Sequence, residues 1–306
     1  MPEDERVLDL SASPARVSLS HERLVIQREG EPDVAVALKD TALVIVSHPR
    51  VVCTVAALAG LMRHGGSFIV CDESQSPVGV MLPLDVNNEQ TRRVLAQASA
   101  TKPTQKRLWK QVVHAKVLTQ GHTLEQRFGN DAGLSVLAKE VRSGDPTNVE
   151  AQAAQRYWPL LFGDPMFRRR RERNDQNRML NYGYAVLRAA VGRAVCAAGL
   201  HPSLGIHHRG RNNPWALADD LMEPFRPLVD DEVASIVGEW GVGIVISPQI
   251  KERLIGVLHV RLAHDGESRT VLDWIGRAAG SLAMVFLGDR RAITLPDGLW
   301  RDAPGA

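Results

Sequence analysis

With 306 residues, 44% of them hydrophobic and 24% charged, the chain can fill a sizeable core and two domains, which excludes a disordered protein. Its formal net charge of +2 neither requires nor excludes a nucleic-acid partner, so the basic residues have to be judged by where they cluster. No apolar run approaches the roughly 18 residues of a membrane span, and the acidic opening MPEDERVLDLSAS lacks the apolar core of a secretory signal.

The first eighty or so residues carry strand signals. VSLS, RLVIQRE, DVAVAL, TALVIV and SFIVCD are short, rich in β-branched residues and separated by turn residues. Residues 33–38 alternate apolar and polar, whereas 43–46 and 68–70 are continuously apolar, as strands covered on both faces are. One helix is expected over 54–63, stopped by Gly65 and Gly66.

After Pro83 the pattern turns helical. Helical spacing of apolar residues covers 89–98, 105–118, 134–141, 150–161, 181–198, 214–229, 250–263 and 271–286. Residues 241–247 (GVGIVIS) could form a short strand, and the Pro- and Gly-rich tail 296–306 is expected to fray. The fold class is therefore α+β: a small β-rich domain over 1–86, then a larger all-helical domain over 87–306. Cys53, Cys71 and Cys196 each sit in an apolar run without a CxxC pair, consistent with small core residues in a reducing compartment.

Chemistry concentrates in PWALADDLMEPFRPLVD, residues 214–230. Asn213 can cap this helix and Pro214 suits its first position. Leu217, Leu221, Phe225 and Leu228 form an apolar stripe, with Asp219, Asp220, Glu223 and Arg226 on the other side. Pro224 and Pro227 bend or end the helix near Glu223, which sets its acids beside a cleft. Just upstream stand His207 and His208; further upstream, Gly144-Asp145-Pro146 opens another helix with Glu150 in its early turns. Carboxylates with an imidazole can hold a divalent metal in an open site that receives a phosphate oxygen and a nucleophile. Each residue also has an ordinary role: acids on a solvated helix face, a histidine that packs, a glutamate that complements a helix dipole.

Two segments are basic. One is FRRRRER, with Arg168, Arg169, Arg170 and Arg171; the other is KPTQKRLWKQVVHAK, with Lys102, Lys106, Arg107 and Lys110. Arg209 and Arg211 flank the histidines. Such clusters bind phosphates or form a solvated surface with salt-bridge partners.

Several strings resemble one family, the CRISPR-associated integrase-nuclease of spacer acquisition, in its type II form. They are SGDPTNVEAQAAQRYWPLLFG (143–163), LNYGYAVLRAAV (180–191) and AGLHPSLGIHHRGRNNPWALADDLMEPFRPLVD (198–230), with RHGGSFIVCDE and the lysine-rich string in support. The resemblance runs from about Leu8 to about Leu287. It implies a β-rich dimerisation domain and a helical catalytic domain that binds Mg²⁺ or Mn²⁺ through Glu150, His208 and Glu223. Asp220 would support the site from close by. His207 stands where the family commonly has an apolar residue, and His201 replaces a common acid. The implied activity is transesterification, joining 3′-hydroxyl ends of captured DNA into a CRISPR repeat array for antiviral immunity. The implied setting is cytoplasmic, as a homodimer assembled into a heterohexamer with a small CRISPR-associated partner subunit. Two alternatives stand beside it: a structure-specific nuclease on branched DNA, and a non-catalytic DNA-binding scaffold.

Overall fold

A computed structural model describes residues 5–73, 77–84, 87–170, 175–208, 210, 212–264, 266–295 and 300–301. Two sheets build the first part of the chain. β1 (Arg6–Leu10), β5 (Thr41–Val46), β7 (Ser67–Cys71) and β8 (Pro77–Met81) form one sheet in the order β1-β5-β7-β8. Its first three strands run parallel and β8 runs antiparallel to β7. β2 (Ala15–Ser20), β3 (Arg23–Gln27), β4 (Val34–Ala37) and β6 (Val51–Cys53) form the other, in the order β4-β3-β2-β6. Strands β1, β6 and β8 carry no clear period in RVLDL, VVC and PVGVM, so the sequence signals alone miss them.

Leu10, Val17, Leu24, Leu38, Val44 and Phe68 pack with α1 (Val55–Arg63) into one core. Thr54 caps α1 by accepting the Ala57 N–H, and Gly65, at φ +77°, turns the chain out of it as expected. β5 is buried along its first five residues, which bears out the two-sided covering expected of 43–46. β7 keeps that covering through Ile69 only, since Val70 is 42% exposed. The second faces of β5 and β7, through Leu43, Ile45 and Ile69, belong to the core of the helical part.

That part contains α2 (Gln90–Ala98), α3 (Lys102–Phe128), α4 (Leu134–Lys139), α5 (Val149–Phe162) and α6 (Gln176–Ala197), followed by α7 (Ala216–Met222), α8 (Arg226–Trp240), α9 (Pro248–Gly256) and α10 (Val271–Leu287). The 27-residue α3 is the central strut, capped by Thr101 and ended by Gly129 at φ +68°. The fold is the expected β-rich part followed by a mostly helical one, with one addition. The helix expected over 250–263 stops early, and β9 (Arg261–His264) and β10 (Glu267–Thr270) form a hairpin that β11 (Trp300–Arg301) joins. The segment 241–247 forms no strand; Ser247 instead caps α9 by accepting the Ile250 N–H. Within the tail expected to fray, Trp300 and Arg301 pair with β9, and the rest lies outside the described residues. The three cysteines are half-buried and unpaired. No described helix is long and apolar enough to cross a membrane.

Candidate active site

The site is built where α5 and the α7–α8 junction meet α3. Gly144, at φ +79°, donates its N–H to the Lys106 carbonyl at 2.9 Å and so pins the segment before α5 onto α3. The Asp145 carboxylate then accepts the N–H groups of Val149 at 2.9 Å and Glu150 at 3.1 Å, satisfying the open first turn of α5. Those contacts fix Glu150 over the middle of α3, where its Oε1 meets Lys116 Nζ at 2.6 Å.

Glu223 reaches the same nitrogen from the other side. α7 ends at Met222, a 3-10 turn spans Glu223–Phe225 with Pro224 inside it, and α8 restarts at Arg226. This is the proline bend expected near Glu223. Glu223 Oε2 lies 2.5 Å from Lys116 Nζ, and its Oε1 lies 3.1 Å from Arg226 Nη2. Burial pushes the Glu223 carboxyl up, but Arg226 and Lys116 outweigh it and hold the group below its ordinary value. Burial likewise opposes the Lys116 charge, and Glu223 and Glu150 outweigh it, so the ammonium is held above its ordinary value.

The alternative of a solvated acidic face does not hold. Asp219, Asp220 and Glu223 are 8%, 0% and 3% exposed, because α7 is surrounded on all sides. Each acid has a specific partner. Asp219 accepts from Arg188 Nε at 2.7 Å and Asn213 Nδ2 at 2.8 Å. Asp220 organises the histidine loop. Its Oδ2 accepts the N–H of Ile206 at 2.6 Å and of His207 at 2.8 Å; its Oδ1 accepts the N–H of His208 at 3.2 Å and pairs with His208 Nδ1 at 2.6 Å. That pairing raises the His208 imidazole above its ordinary value, against the opposing effect of burial. Gly205 is needed there: a Cβ would stand 2.3 Å from the His208 carbonyl oxygen.

The two histidines have different surroundings. His207 stacks flat on Trp109, with ring centroids 4.2 Å apart, whereas His208 meets Trp109 edge-on and turns Nδ1 to Asp220. His201 is exposed and bonded to Ser203. Among the described residues no three His, Cys, Asp or Glu side chains gather closely enough to hold a metal ion between them. The donor set nevertheless fits a divalent cation in kind. Two carboxylates converge on one point of positive charge, and an imidazole with Nδ1 taken by a buried carboxylate keeps Nε2 open, the arrangement in which histidine commonly ligates.

Basic groups border the site. Lys102, Lys106, Arg107 and Lys110 are exposed on α3, and Lys110 lies about 9 Å along the helix from Lys116 at 1.5 Å per residue. A cavity of about 400 Å³ is lined by Arg169, Arg188, Arg226, Asn181 and Tyr184, and is linked to Glu223 through Arg226. Arg169 is held by Asn177 and Asn181 at 3.0 and 2.7 Å and lies against the Tyr184 ring, as does Arg226. Arg168 donates to the carbonyls of Pro165 and Phe167, and Arg170 is exposed. Arg171, Arg209 and Arg211 lie outside the described residues. Lys116, Arg188 and Trp109 are the site groups that the sequence signals did not single out.

Behind this cavity the Tyr184 hydroxyl donates to Asp230, which is 1% exposed. Burial pushes the Asp230 carboxyl up to about 7, against the Tyr184 hydrogen bond and Arg226. The folded protein thus keeps a proton that an unfolded aspartate, with a pKa of about 3.9, releases. Asp230 therefore makes the fold lose stability as pH rises from about 4 to about 7. Asp230→Asn keeps an acceptor for Tyr184 and is expected to flatten that decline, measured as urea midpoints at pH 5 and 7.5. An identical decline in both proteins would assign it to other groups.

The architecture is shared with solved structures. The chain superposes on a casposase bound to integration product with a TM-score of 0.75 at 22% identity, over 93% of this chain and 91% of that one. It superposes on a Cas6-RT-Cas1–Cas2 complex with a TM-score of 0.72 at 18% identity, over 98% of this chain and 36% of that one. At these identities the likeness is one of fold. The family model described as CRISPR associated protein Cas1 matches residues 9–240. A CRISPR-associated endonuclease Cas1 of Neisseria meningitidis is 37% identical over 286 residues, covering 92% of this chain and 93% of the relative. The chain belongs to the Cas1 family of CRISPR-associated proteins.

Proposed function

We propose that this chain is the metal-dependent integrase of CRISPR spacer acquisition. It joins the 3′-hydroxyl ends of captured DNA to a repeat array by transesterification. The observation that carries this reading is the convergence of Glu150 and Glu223, from two separate helices, on one cationic point beside the His208–Asp220 pair. Family membership agrees with it, as does the likeness to a casposase bound to integration product.

Glu150, Glu223 and His208 Nε2 would hold Mg²⁺ or Mn²⁺, which supplies Lewis-acid polarisation of the scissile phosphate and lowers the pKa of the attacking hydroxyl. Asp220 fixes the His208 ring and its tautomer. Arg169, Arg188 and Arg226 line the adjoining cavity and supply guanidinium donors for the phosphates on either side of the reacting one. Lys102, Lys106, Arg107 and Lys110 hold the duplex further along α3 through its backbone, without reading sequence. The same reading takes the protein as a cytoplasmic homodimer, joined through the β-rich part, with a small partner subunit of the Cas2 kind in a heterohexamer. The Cas1–Cas2 context of the second structural relative supports that partner.

The test is an integration assay with fluorescent DNA ends, a supercoiled CRISPR plasmid and the small partner subunit. Label is expected to enter the plasmid covalently with Mg²⁺ or Mn²⁺ and to be lost with EDTA. Cutting of branched DNA without label transfer would favour the nuclease alternative. DNA binding with neither reaction would favour the scaffold.

A further inference from the structure

The placement of Lys116 leads beyond the ligand set. Its side chain is 12% exposed and its ammonium makes ion pairs with Glu150 and Glu223, the two carboxylates proposed to hold the metal. Magnesium binds carboxylate oxygens at about 2.0–2.1 Å. The lysine nitrogen already stands 2.6 and 2.5 Å from one oxygen of each carboxylate. A metal on those same two oxygens would occupy the nitrogen's own position. The charges lead to the same exclusion. Glu150, Glu223, Lys116 and Arg226 sum to zero as they stand. A divalent cation added beside both basic groups would outweigh the nearby Asp220 carboxylate and leave an excess of positive charge in a poorly solvated pocket.

Of the two basic groups, Lys116 is the one able to leave. Arg226 is fixed from several sides: it pairs with Glu223, lies 4.8 Å over the Tyr184 ring and stands at the head of α8 with only 22% of its side chain exposed. Lys116 carries its charge on a flexible four-carbon stem rising from mid-helix.

We propose that Lys116 is a resident counter-ion that occupies the metal position in the metal-free protein and must swing away before the metal is held. Metal and lysine are then rivals for one pair of carboxylates. The displaced ammonium needs a new negative partner, and a phosphate of bound DNA is the group within its chemistry. DNA therefore favours metal uptake, and the protein without DNA holds metal weakly. The proposal rests on the metal site of the preceding section.

The first experiment reads metal binding rather than catalysis. Free Mn²⁺ is followed by electron paramagnetic resonance during titration of the DNA-free full chain. Lys116→Gln is expected to bind Mn²⁺ at least tenfold more tightly than the wild type. Addition of a short DNA duplex with 3′ overhangs is expected to tighten Mn²⁺ binding in the wild type and to change it much less in the variant. Equal or weaker Mn²⁺ binding by the variant would overturn the proposal. If the variant folds only with Mn²⁺, the metal is replacing the lost counter-ion, as proposed. A variant that does not fold at all leaves the wild type to decide, through the anomalous scattering of Mn²⁺-soaked crystals. Manganese at Glu150 and Glu223, with Lys116 moved off both carboxylates, supports the proposal. Manganese there with both ion pairs intact overturns it and leaves the metal site standing. If neither protein binds Mn²⁺ in a way that Glu150→Gln removes, the metal site itself fails, and the proposal with it.

Discussion

Glu150→Ala and Glu223→Ala are each expected to reduce strand joining by at least about a thousandfold, yet to differ sharply in stability. The loss of rate follows from the several kcal/mol of charge stabilisation that a held metal contributes, at about 1.4 kcal/mol per factor of ten. The stability difference follows from burial. The Glu150 side chain is 27% exposed and shares Lys116 with Glu223, so its removal leaves the lysine one carboxylate partner. The Glu223 side chain is 4% exposed and stands between Lys116 and Arg226. Its removal strips the carboxylate from a partly buried Arg226 and leaves Lys116 only Glu150, a change of the kind that typically costs about 3–5 kcal/mol. Loss of Glu150 is therefore expected to spare the fold, and loss of Glu223 to weaken it. Joining rates and urea midpoints of both variants, with Glu223→Gln as the isosteric control, test the pair. A Glu223→Gln protein that joins DNA at the wild-type rate would remove Glu223 from the chemistry.

Asp220→Ala is expected to lower stability by about 2–4 kcal/mol and to abolish joining as well, although Asp220 is not assigned to the metal. Its carboxylate accepts three successive backbone N–H groups and the His208 ring, at full burial. Without it those donors lose their partner, and His208 loses the contact that fixes its ring. Asp220→Asn is not a conservative replacement. Oδ2 faces two N–H donors and Oδ1 faces another, so either amide orientation turns an NH₂ group towards a donor. Thermal melts and joining rates decide this. A wild-type melting temperature for Asp220→Ala would show that the loop 205–208 is held by other contacts, chiefly the stacking of His207 on Trp109.

The helical elements were readable as helices from their apolar spacing, but α3 was read over 105–118 only, and its Thr101 cap and Gly129 stop lie beyond that stretch. The carboxylates were readable only as candidates, because stripe logic assumes a helix with one wet side, and α7 has none. Lys116 was hidden among exposed lysines of the same string. Yet Trp109, Val112, Val113 and Lys116 occupy the i, i+3, i+4 and i+7 positions of one face of α3, and the first three of them are at most 2% exposed. A lysine in line with an apolar stripe was the available signal. The hairpin of β9 and β10 also left a trace, the Asp265-Gly266 pair, which outranks the helical period carried over from α9. Strand β6 left little, since three residues set no period.

The sharing of β5 and β7 between two cores bears on how such a protein can change over generations. Leu43, Ile45 and Ile69 are core residues of the helical part although the β-rich part supplies them. The border is thus a packed surface rather than a tether. A β-rich part transplanted from a distant relative would bring its own version of that surface and meet side chains it had never been selected against. The two parts are therefore constrained to descend together, with substitutions on one side of the seam answered by substitutions on the other.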